Sequence, residues 1–342
     1  MELVALTREL IDIESVTGHE RAVGEFLEAR LRGLGLEVSR MQVEPNRFNI
    51  YATCDKTRHP EIVLSTHMDT VPPFFASSED ATRIYGRGAC DAKGIIAAQI
   101  AAAQRLRDEG IHVGLLFLVG EERDSLGAKV ANGHPQGSRF LINGEPTDSR
   151  IALASKGTLR VTLTAHGKMA HSAYPELGES AIEKLVRALG KLLDLELPRD
   201  PVLGPCTMNI GLIDGGRATN VIPDHAQAQL LFRLIGPSDE LRKQIEHAVA
   251  HLGTVEYTLE IPLVRLRSIP DLPPMVAAFT TDIPALTAWG EPLLIGPGSI
   301  HVAHTEGEYI EKEELKNAVD LYCAIVRRLL AKPIDSLHGL QH

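Results

Sequence analysis

A histidine and an aspartate follow a short apolar run in a pattern that could bind a metal ion. The run 62–64 (Ile-Val-Leu) is typical of a buried parallel strand, and His67 and Asp69 come directly after it. Because the two residues are spaced i, i+2, their side chains lie on the same side of extended backbone. The imidazole could bind a metal while the carboxylate takes its second N–H and fixes its tautomer. The alternative is a solvated His and Asp in an ordinary loop after a strand.

Other acidic and imidazole groups stand just past the ends of further apolar segments. Sites in an open α/β sheet form at the carboxyl ends of the strands, so we expect these groups to converge. Asp91, before an alanine-rich segment, could instead be the N-cap of a helix. The candidates are Asp91, Glu121, Glu122, Glu145 and His304.

Two imidazoles and three carboxylates suit a pair of divalent ions that prefer nitrogen and oxygen ligands to thiolates. Two ions about 3.5–4 Å apart need a shared ligand, and a bridging carboxylate supplies one. A metal-held water has its pKa lowered to about 7, and a spare carboxylate beside it can act as general base. Neighbouring residues on extended backbone point in different directions, so one of Glu121 and Glu122 could bind a metal while the other faces the water.

Composition limits the class of protein. The chain has 342 residues, 44% hydrophobic and 23% charged, which indicates a globular protein of two domains. The net charge of −10 and an aromatic content of 4% argue against a nucleic-acid partner or an anionic membrane surface. No secretory signal and no apolar membrane span are expected. Four scattered cysteines with no CxxC pair favour a cytoplasmic location.

The order of elements predicts a domain interrupted by an insertion. Residues 1–155 read as helices alternating with short strands, which implies a mostly parallel sheet flanked by helices. Residues 156–265 read as β-α-β-β-α-β, the split ferredoxin-like order of a small α+β domain. From 266 to 342 the helical texture returns, with a last helix at 312–330. We therefore expect one α/β domain from 1–155 and 266–342.

Five motifs together resemble one family of enzymes. The motifs occur in the family's order over essentially the whole chain, which makes the resemblance specific. The motifs are His67-Met-Asp69, Gly86-Arg-Gly-Ala-Cys-Asp91-Ala-Lys-Gly94, Gly120-Glu-Glu122, Gly144-Glu145-Pro-Thr-Asp148 and Ala303-His304-Thr-Glu-Gly-Glu308. The family that they resemble is the co-catalytic zinc metallohydrolases that include acetylornithine deacetylase, succinyl-diaminopimelate desuccinylase, aminoacylase and glutamate carboxypeptidase.

The resemblance assigns roles to the candidate residues. Asp91 would bridge two divalent ions, zinc or alternatively cobalt. His67 and Glu145 would complete one ion. Glu122 and His304 would complete the other. Asp69 would orient His67, and Glu121 would be the general base and later the proton donor. The fold implied is the zinc-exopeptidase-like α/β domain with an inserted dimerisation domain.

The insertion also resembles its counterpart in the family. His171 lies in Gly167-Lys-Met-Ala-His-Ser172, like the loop whose His reaches across a dimer to polarise the scissile carbonyl. Asn220 and Arg233 resemble substrate-binding residues, and Arg233 suits bidentate capture of a carboxylate. The resemblance therefore implies a homodimer.

The expected activity is hydrolysis of an amide. The wording around Gly296-Pro-Gly-Ser-Ile300 is closest to acetylornithine deacetylases and favours removal of an acyl group from an N-acyl amino acid, through a metal-bound hydroxide. An exopeptidase or dipeptidase is the alternative within this class, and a non-hydrolytic metal-binding protein is the alternative outside it. Departures from the family pattern at Gly120, Arg123-Asp124 and His301 weaken any analogy about the substrate but leave the metal chemistry intact.

Overall fold

The computed structural model describes residues 2–54 and 59–331, so the part of the predicted α/β domain at 332–342 lies outside the described residues. Contacts divide the chain into two compact units. The first contains the residues up to Leu153, Leu266–Met275 and those from Thr281 onwards. The second contains Ala154–Arg265 and Val276–Thr280.

The helices of the described chain are α1 (Leu3–Ile11), α2 (Arg21–Gly33), α3 (Gly94–Asp108), α4 (Leu126–Asn132), α5 (Ala181–Leu193), α6 (Asp239–Val249) and α7 (Lys312–Ala331). The strands are β1 (Glu37–Glu44), β2 (Arg47–Thr53), β3 (Ile62–His67), β4 (Ser78–Glu79), β5 (Arg83–Tyr85), β6 (Gly114–Leu118), β7 (Phe140–Asn143), β8 (Ile151–Ser155), β9 (Gly157–His166), β10 (Ala170–His171), β11 (Arg199–Asp200), β12 (Gly204–Pro205), β13 (Thr207–Gly215), β14 (Val221–Ile222), β15 (His225–Leu234), β16 (Thr254–Ile261), β17 (Val264–Arg265), β18 (Pro274–Ala277), β19 (Glu291–Leu294) and β20 (Tyr309–Glu311).

The first unit is built on a six-stranded sheet in the order β1-β2-β6-β3-β7-β19. Strands β6, β3, β7 and β19 are parallel, and β2 joins β6 antiparallel, with β1 as an antiparallel edge. Every residue of β3, β6 and β7 is buried, as the apolar runs predict for strands covered on both faces. The predicted α/β class with a mostly parallel sheet is confirmed.

The parallel strands place the candidate residues at one edge of this sheet. His67 is the last residue of β3, Glu121 and Glu122 follow β6, and Glu145 follows β7. Because β3 lies between β6 and β7, the three carboxyl ends are adjacent. Asp91 lies in an irregular turn, Ala89–Lys93, which leads into α3. The convergence expected at the carboxyl ends of the strands follows directly from this strand order.

Helix α3 forms because its alanine-rich sequence has high helix propensity and packs closely on its neighbours. Ten of its residues are buried, including Ile95, Ile96 and Ile100. It packs with α1 and α7 in one large hydrophobic core. The turn that carries Asp91 is therefore anchored at its carboxyl side by a helix that cannot shift without disrupting the core.

The second unit contains a four-stranded antiparallel sheet in the order β13-β15-β9-β16. With α5 and α6 the chain order is β9-α5-β13-β15-α6-β16, which is the split arrangement predicted for the insertion. One face of the sheet is covered by both helices, around residues such as Leu185, Phe232 and Ile245. Ser180 caps α5, since its side chain accepts the N–H of Glu183.

Several elements of the first unit are absent from the sequence prediction, among them β1, α4 and β19. Strand β1 exposes most of its residues and has no run of apolar side chains. Helix α4 has only seven residues, and β19 has four, one of them Pro292. Each is too short or too polar to give a periodic signal, and each is fixed by long-range pairing or packing.

Candidate metal centre

The two carboxylate oxygens of Asp91 contact two imidazoles. Oδ1 is 2.9 Å from Nε2 of His67, and Oδ2 is 3.2 Å from Nε2 of His304. Asp91 does not cap α3, because its φ of −129° and ψ of 85° are non-helical and Lys93 occupies the N-cap position. The N-cap alternative for Asp91 is therefore wrong. A carboxylate with one oxygen towards each imidazole has the shape of a bridging ligand.

The remaining carboxylates lie on either side of this arrangement. Oε1 of Glu122 is 3.0 Å from Nε2 of His304, and Oε2 of Glu145 is 3.9 Å from Nε2 of His67. One ligand atom from each of His67, Asp91 and Glu122 lies within 4.8 Å of the others. The structure thus brings together all five residues that the resemblance names as metal ligands, in the expected pairs.

The electrostatics of this cluster reflect excess negative charge in a buried place. Burial opposes protonation of His67, yet the carboxylates of Asp69 and Asp91 raise its pKa well above its usual value. Hydrogen bonds with Asp91 and Glu122 raise the pKa of His304 to about 10. Burial raises the pKa of Glu145 well above its ordinary value, and the charge of Asp91 adds to the shift. Cations would relieve this repulsion.

Donor chemistry and geometry fit divalent metal ions. The donors are imidazole nitrogens and carboxylate oxygens, which suit zinc and similar ions. Oε1 of Glu145 is buried and has no hydrogen-bond partner in the described chain, so it is available as a ligand. The nearby thiol of Cys90 lies 3.6 Å from an oxygen of Glu308 and is not part of the cluster.

Asp69 is fully buried and organises the backbone around the cluster. Its Oδ1 accepts the N–H of Glu121 at 3.1 Å, and its Oδ2 accepts the N–H of Glu122 at 3.3 Å. The hydroxyl of Thr17 also donates to Oδ2, at 2.7 Å. Nδ1 of His67 is 3.0 Å from the backbone oxygen of Asp69 and 3.5 Å from its carboxylate. The ring is therefore held mainly by the carbonyl, while the carboxylate also supports the two glutamates.

Glu121 is half-buried beside the cluster, outside the group of closely spaced ligand atoms. Burial, followed by the charge of Glu145, raises the pKa of Glu121 well above its usual value. Gly120 precedes it with a φ of +80°, a left-handed conformation that favours glycine. This bend directs the chain away from β6 and positions the two glutamates at the end of the sheet.

The residues named in the insertion belong to the second unit. His171 is exposed in β10 and pairs with Val221 of β14, so its loop lies beside Asn220, whose carbonyl accepts the N–H of Ser172. Nδ1 of His171 accepts the N–H of Ala173 at 3.1 Å. The structure thus brings His171 and Asn220 to one loop pair.

Arg233 lies elsewhere in the second unit, within β15. Its Nη1 donates to the hydroxyl of Thr158 at 2.9 Å, and none of the described carboxylates forms an ion pair with it. Burial lowers its pKa from the usual value. A half-buried guanidinium without an anion is a suitable receptor for a carboxylate.

Two buried acids near the site have no predicted role. Asp282 has both oxygens buried, with no hydrogen-bond partner at normal geometry in the described chain, and burial raises its pKa to about 7. The apolar run 275–279 (Met-Val-Ala-Ala-Phe) ends three residues before Asp282 and was a possible signal, but Asp282 belongs to none of the five motifs. Glu308 is 1% exposed and accepts the backbone N–H of Asp91. It is the last residue of the fifth motif, but the resemblance assigned no role to it.

Comparison with known proteins identifies the family. A peptidase M20 domain-containing protein of Schizosaccharomyces pombe is 38% identical over 337 residues, which cover 95% of this chain and 84% of that protein. The chain belongs to the M20 peptidase family. Its residues 153–257 match the family model described as the peptidase dimerisation domain. The resemblance drawn from the five motifs is confirmed, and this M20 protein is a hydrolase.

Further comparisons agree with that assignment. A protein of Aspergillus flavus named "Probable carboxypeptidase" is 37% identical over 380 residues, covering 96% of this M20 chain and 90% of that protein. The structure of a tripeptidase from Staphylococcus aureus matches with a TM-score of 0.83 and 22% identity, over 96% of this chain and 98% of that one. Among the described helices none is long and apolar enough to cross a membrane.

Proposed function

We propose that this M20 hydrolase is a two-metal exopeptidase of the carboxypeptidase kind. The observation that carries the two-metal proposal is Asp91, whose oxygens lie 2.9 Å and 3.2 Å from the imidazoles of His67 and His304. The 37% identity, over almost the whole chain, to a protein named "Probable carboxypeptidase" supports cleavage of peptides. The comparisons favour this alternative over the N-acyl amino acid deacylase that the motif wording suggested.

In this proposal the five clustered side chains hold two divalent ions, with zinc as the first candidate and cobalt as the second. Asp91 is the shared ligand. His67 with Glu145 and His304 with Glu122 bind on its two sides. Bound ions would supply Lewis-acid polarisation of the scissile carbonyl and an activated water.

The protein's own groups then carry the proton. Glu121 takes a proton from the attacking water and returns it to the amine of the leaving amino acid. Burial, followed by the charge of Glu145, raises the pKa of Glu121, which makes it a stronger base than an exposed carboxylate. Asp69 keeps Glu121 in place through the hydrogen bond to its backbone N–H.

The insertion supplies the substrate-binding residues in this proposal. Arg233 binds the free carboxylate at the substrate's C-terminus, because its guanidinium is half-buried and lacks an anionic partner in the described chain. His171 polarises the scissile carbonyl, and Asn220 contacts the substrate beside it. A free α-carboxylate is also present in an N-acyl amino acid, so Arg233 would accept either substrate class.

We further propose a homodimer formed through the second unit. The matched dimerisation domain supports it. So do exposed apolar side chains on β13, the edge strand of that unit's sheet, where Leu212 is 63% and Ile213 64% exposed. Light scattering should give twice the chain mass of 37.2 kDa, and a Leu212→Glu/Ile213→Glu variant should give the monomer mass. A cytoplasmic location stays a prediction.

A substrate panel tests the activity. Purified protein with zinc or cobalt is given tripeptides that are free, N-acetylated or C-amidated, together with N-acetyl amino acids. A carboxypeptidase cleaves the free and N-acetylated peptides and spares the amidated one. Loss of cleavage on N-acetylation would instead indicate an aminopeptidase. Turnover confined to N-acetyl amino acids would restore the deacylase hypothesis, and no turnover with metal bound would favour a binding protein.

A further inference from the structure

A buried ion pair connects the turn that carries Asp91 to the loop that carries His304. Arg87 and Glu308 are each 1% exposed, and Nη1 of Arg87 is 2.6 Å from Oε2 of Glu308. The pairing of β5 with β20 brings them together, because the N–H of Gly86 donates to the carbonyl of Glu308 at 3.1 Å. Backbone hydrogen bonds thus fix both ends of this ion pair.

The second oxygen of Glu308 is directed at the backbone of the Asp91 turn. Oε1 accepts the N–H of Cys90 and the N–H of Asp91, each at 3.2 Å. These two N–H groups have no backbone acceptor among the hydrogen bonds of the described chain, because the turn is irregular. A side-chain carboxylate therefore replaces the helix or sheet hydrogen bonds that would normally hold such a segment.

Arg87 extends the connection to a third segment. Its Nε donates to the carbonyl of Pro73 at 3.2 Å, and its backbone N–H donates to the carbonyl of Phe75 at 3.2 Å. That segment follows Asp69 in the chain. The ion pair of Arg87 and Glu308 thus joins three segments: the loop after Asp69, the turn before α3 and the loop after His304. The oxygens of Asp91 itself stay directed at the imidazoles.

We propose that Glu308 is a positioning residue that holds Asp91 between two metal ions, an inference that rests on the proposed two-metal function. While Arg87 is present, both carboxylate oxygens are needed, one for its guanidinium and one for the N–H groups of the turn. An amide at this position presents one oxygen and one N–H₂ group, so a donor would face either the guanidinium of Arg87 or the N–H groups of Cys90 and Asp91. The turn would then relax, and Asp91 would lose its alignment.

A purely structural role makes a different prediction. If the ion pair only stabilised the fold, its loss would lower the unfolding temperature and leave the affinity for metal unchanged. A buried ion pair that loses one partner is strongly destabilising in any case. The metal-binding constants of the folded protein therefore decide between the two roles, and stability alone does not.

The chain offers a matched control. Glu311 forms an ion pair with Arg83, with 2.7 Å between Nε and Oε1, and this pair joins the same two strands, β5 and β20. Its carboxylate is 37% exposed and contacts neither Cys90 nor Asp91. Glu311→Gln thus removes an Arg–Glu pair from the same strand pair without touching the turn of Asp91.

The experiment is a calorimetric titration of chelator-treated full-length protein with zinc and, separately, cobalt. Wild type and Glu311→Gln should bind two equivalents with the same constants. Glu308→Gln should bind at least one ion about 10- to 100-fold more weakly, as expected when a group supporting a ligand is lost. Its cobalt absorption spectrum should also change. Two equivalents bound with wild-type constants would overturn the inference.

A double variant keeps the test valid if Glu308→Gln does not fold. Glu308→Gln/Arg87→Met removes both charges, and the amide oxygen can then face the N–H groups of Cys90 and Asp91 unopposed. Its metal constants should be close to those of Glu311→Gln, and a folded double variant that binds either ion about 10-fold or more weakly than Glu311→Gln would contradict the positioning role. Fewer than two equivalents in the wild type would instead refute the two-metal function.

Discussion

The carboxylate of Asp69 accepts the backbone N–H of Glu121, with 3.1 Å between the nitrogen and Oδ1. The same carboxylate accepts the N–H of Glu122, and Nδ1 of His67 contacts the Asp69 carbonyl at 3.0 Å. A residue expected only to orient an imidazole therefore also sets the position of the proposed base and of a second proposed ligand.

Asp69→Asn should weaken both turnover and metal binding. The amide offers only one acceptor oxygen to two N–H groups, so the Glu121-Glu122 backbone loses support. We expect metal affinity to fall about 10- to 100-fold. Zinc titration and steady-state kinetics measure this. Thr17→Val, which removes one donor to the same carboxylate, is the milder control. If Asp69→Asn binds metal with wild-type affinity, the carboxylate of Asp69 does not help to position the proposed ligands.

Glu121→Gln should abolish most turnover and leave metal binding intact. Removing a general base costs about 10²- to 10⁴-fold in rate. Glu122→Gln is the informative comparison, because this neighbour contacts His304 at 3.0 Å and should lose affinity for one ion. Kinetics at saturating metal, together with bound-metal stoichiometry, distinguish the two variants. A Glu121→Gln enzyme of normal kcat would remove Glu121 from the mechanism.

Arg233→Lys should raise KM for peptides about 10- to 100-fold with a smaller change in kcat. Lysine keeps the charge but cannot form the bidentate contact with a carboxylate, and hydrogen bonds to charged groups contribute about 1.5–3 kcal/mol. Thr158→Val removes the hydroxyl that Arg233 contacts at 2.9 Å and should give a smaller rise. C-amidated peptides, which are not cleaved, are tested as inhibitors and should bind wild type and Arg233→Lys equally. An unchanged KM of Arg233→Lys for free peptides would show that Arg233 does not bind the carboxylate.

Asp282→Asn should change how stability depends on pH. Burial, and then the charges of Asp69 and Asp124, raise the pKa of Asp282 from 3.8 to about 7. The folded state thus binds more protons than the unfolded state between these values, so this acid makes the wild type less stable as pH rises through that window. Asparagine does not titrate, so this decrease in stability with rising pH is absent in Asp282→Asn.

Urea unfolding of the metal-free proteins at pH 5 and pH 8 checks the prediction for Asp282. The urea midpoint of Asp282→Asn minus that of wild type should be larger at pH 8 than at pH 5. Asp271→Asn, an exposed acid that contacts Arg328, should show no such trend. An equal offset at both pH values would mean that Asp282 titrates normally in the folded protein.

The sequence supported much of the fold because its strongest signals were long or fully apolar. The β-α-β-β-α-β order predicted for the insertion is the observed order, and the last helix, predicted at 312–330, ends one residue later as α7. Strand β19 could not be predicted, since it exists only through its parallel pairing with β7. Helix α4 is likewise too short for periodicity to show.

The residue types and their order determined what chemistry was available. His67 ends strand β3, Glu122 follows β6, and Asp91 lies in the turn before α3. Their nitrogen and oxygen donors do not favour a soft, thiolate-preferring metal. The carboxyl ends of parallel strands had to meet, so their convergence could be inferred before any coordinates. The residue roles that the family motifs imply are still predictions, and the variants above test them.

Only the tertiary structure decided which groups support the cluster. Glu308 and Arg87 are 221 residues apart, and they meet because β20 pairs with β5. Asp69 reaches the N–H of Glu121 across 52 residues, because β3 and β6 are neighbours in the sheet. Such contacts depend on strand order and burial, which no local pattern encodes. Local sequence therefore specified the candidate ligands, and long-range packing specified what holds them.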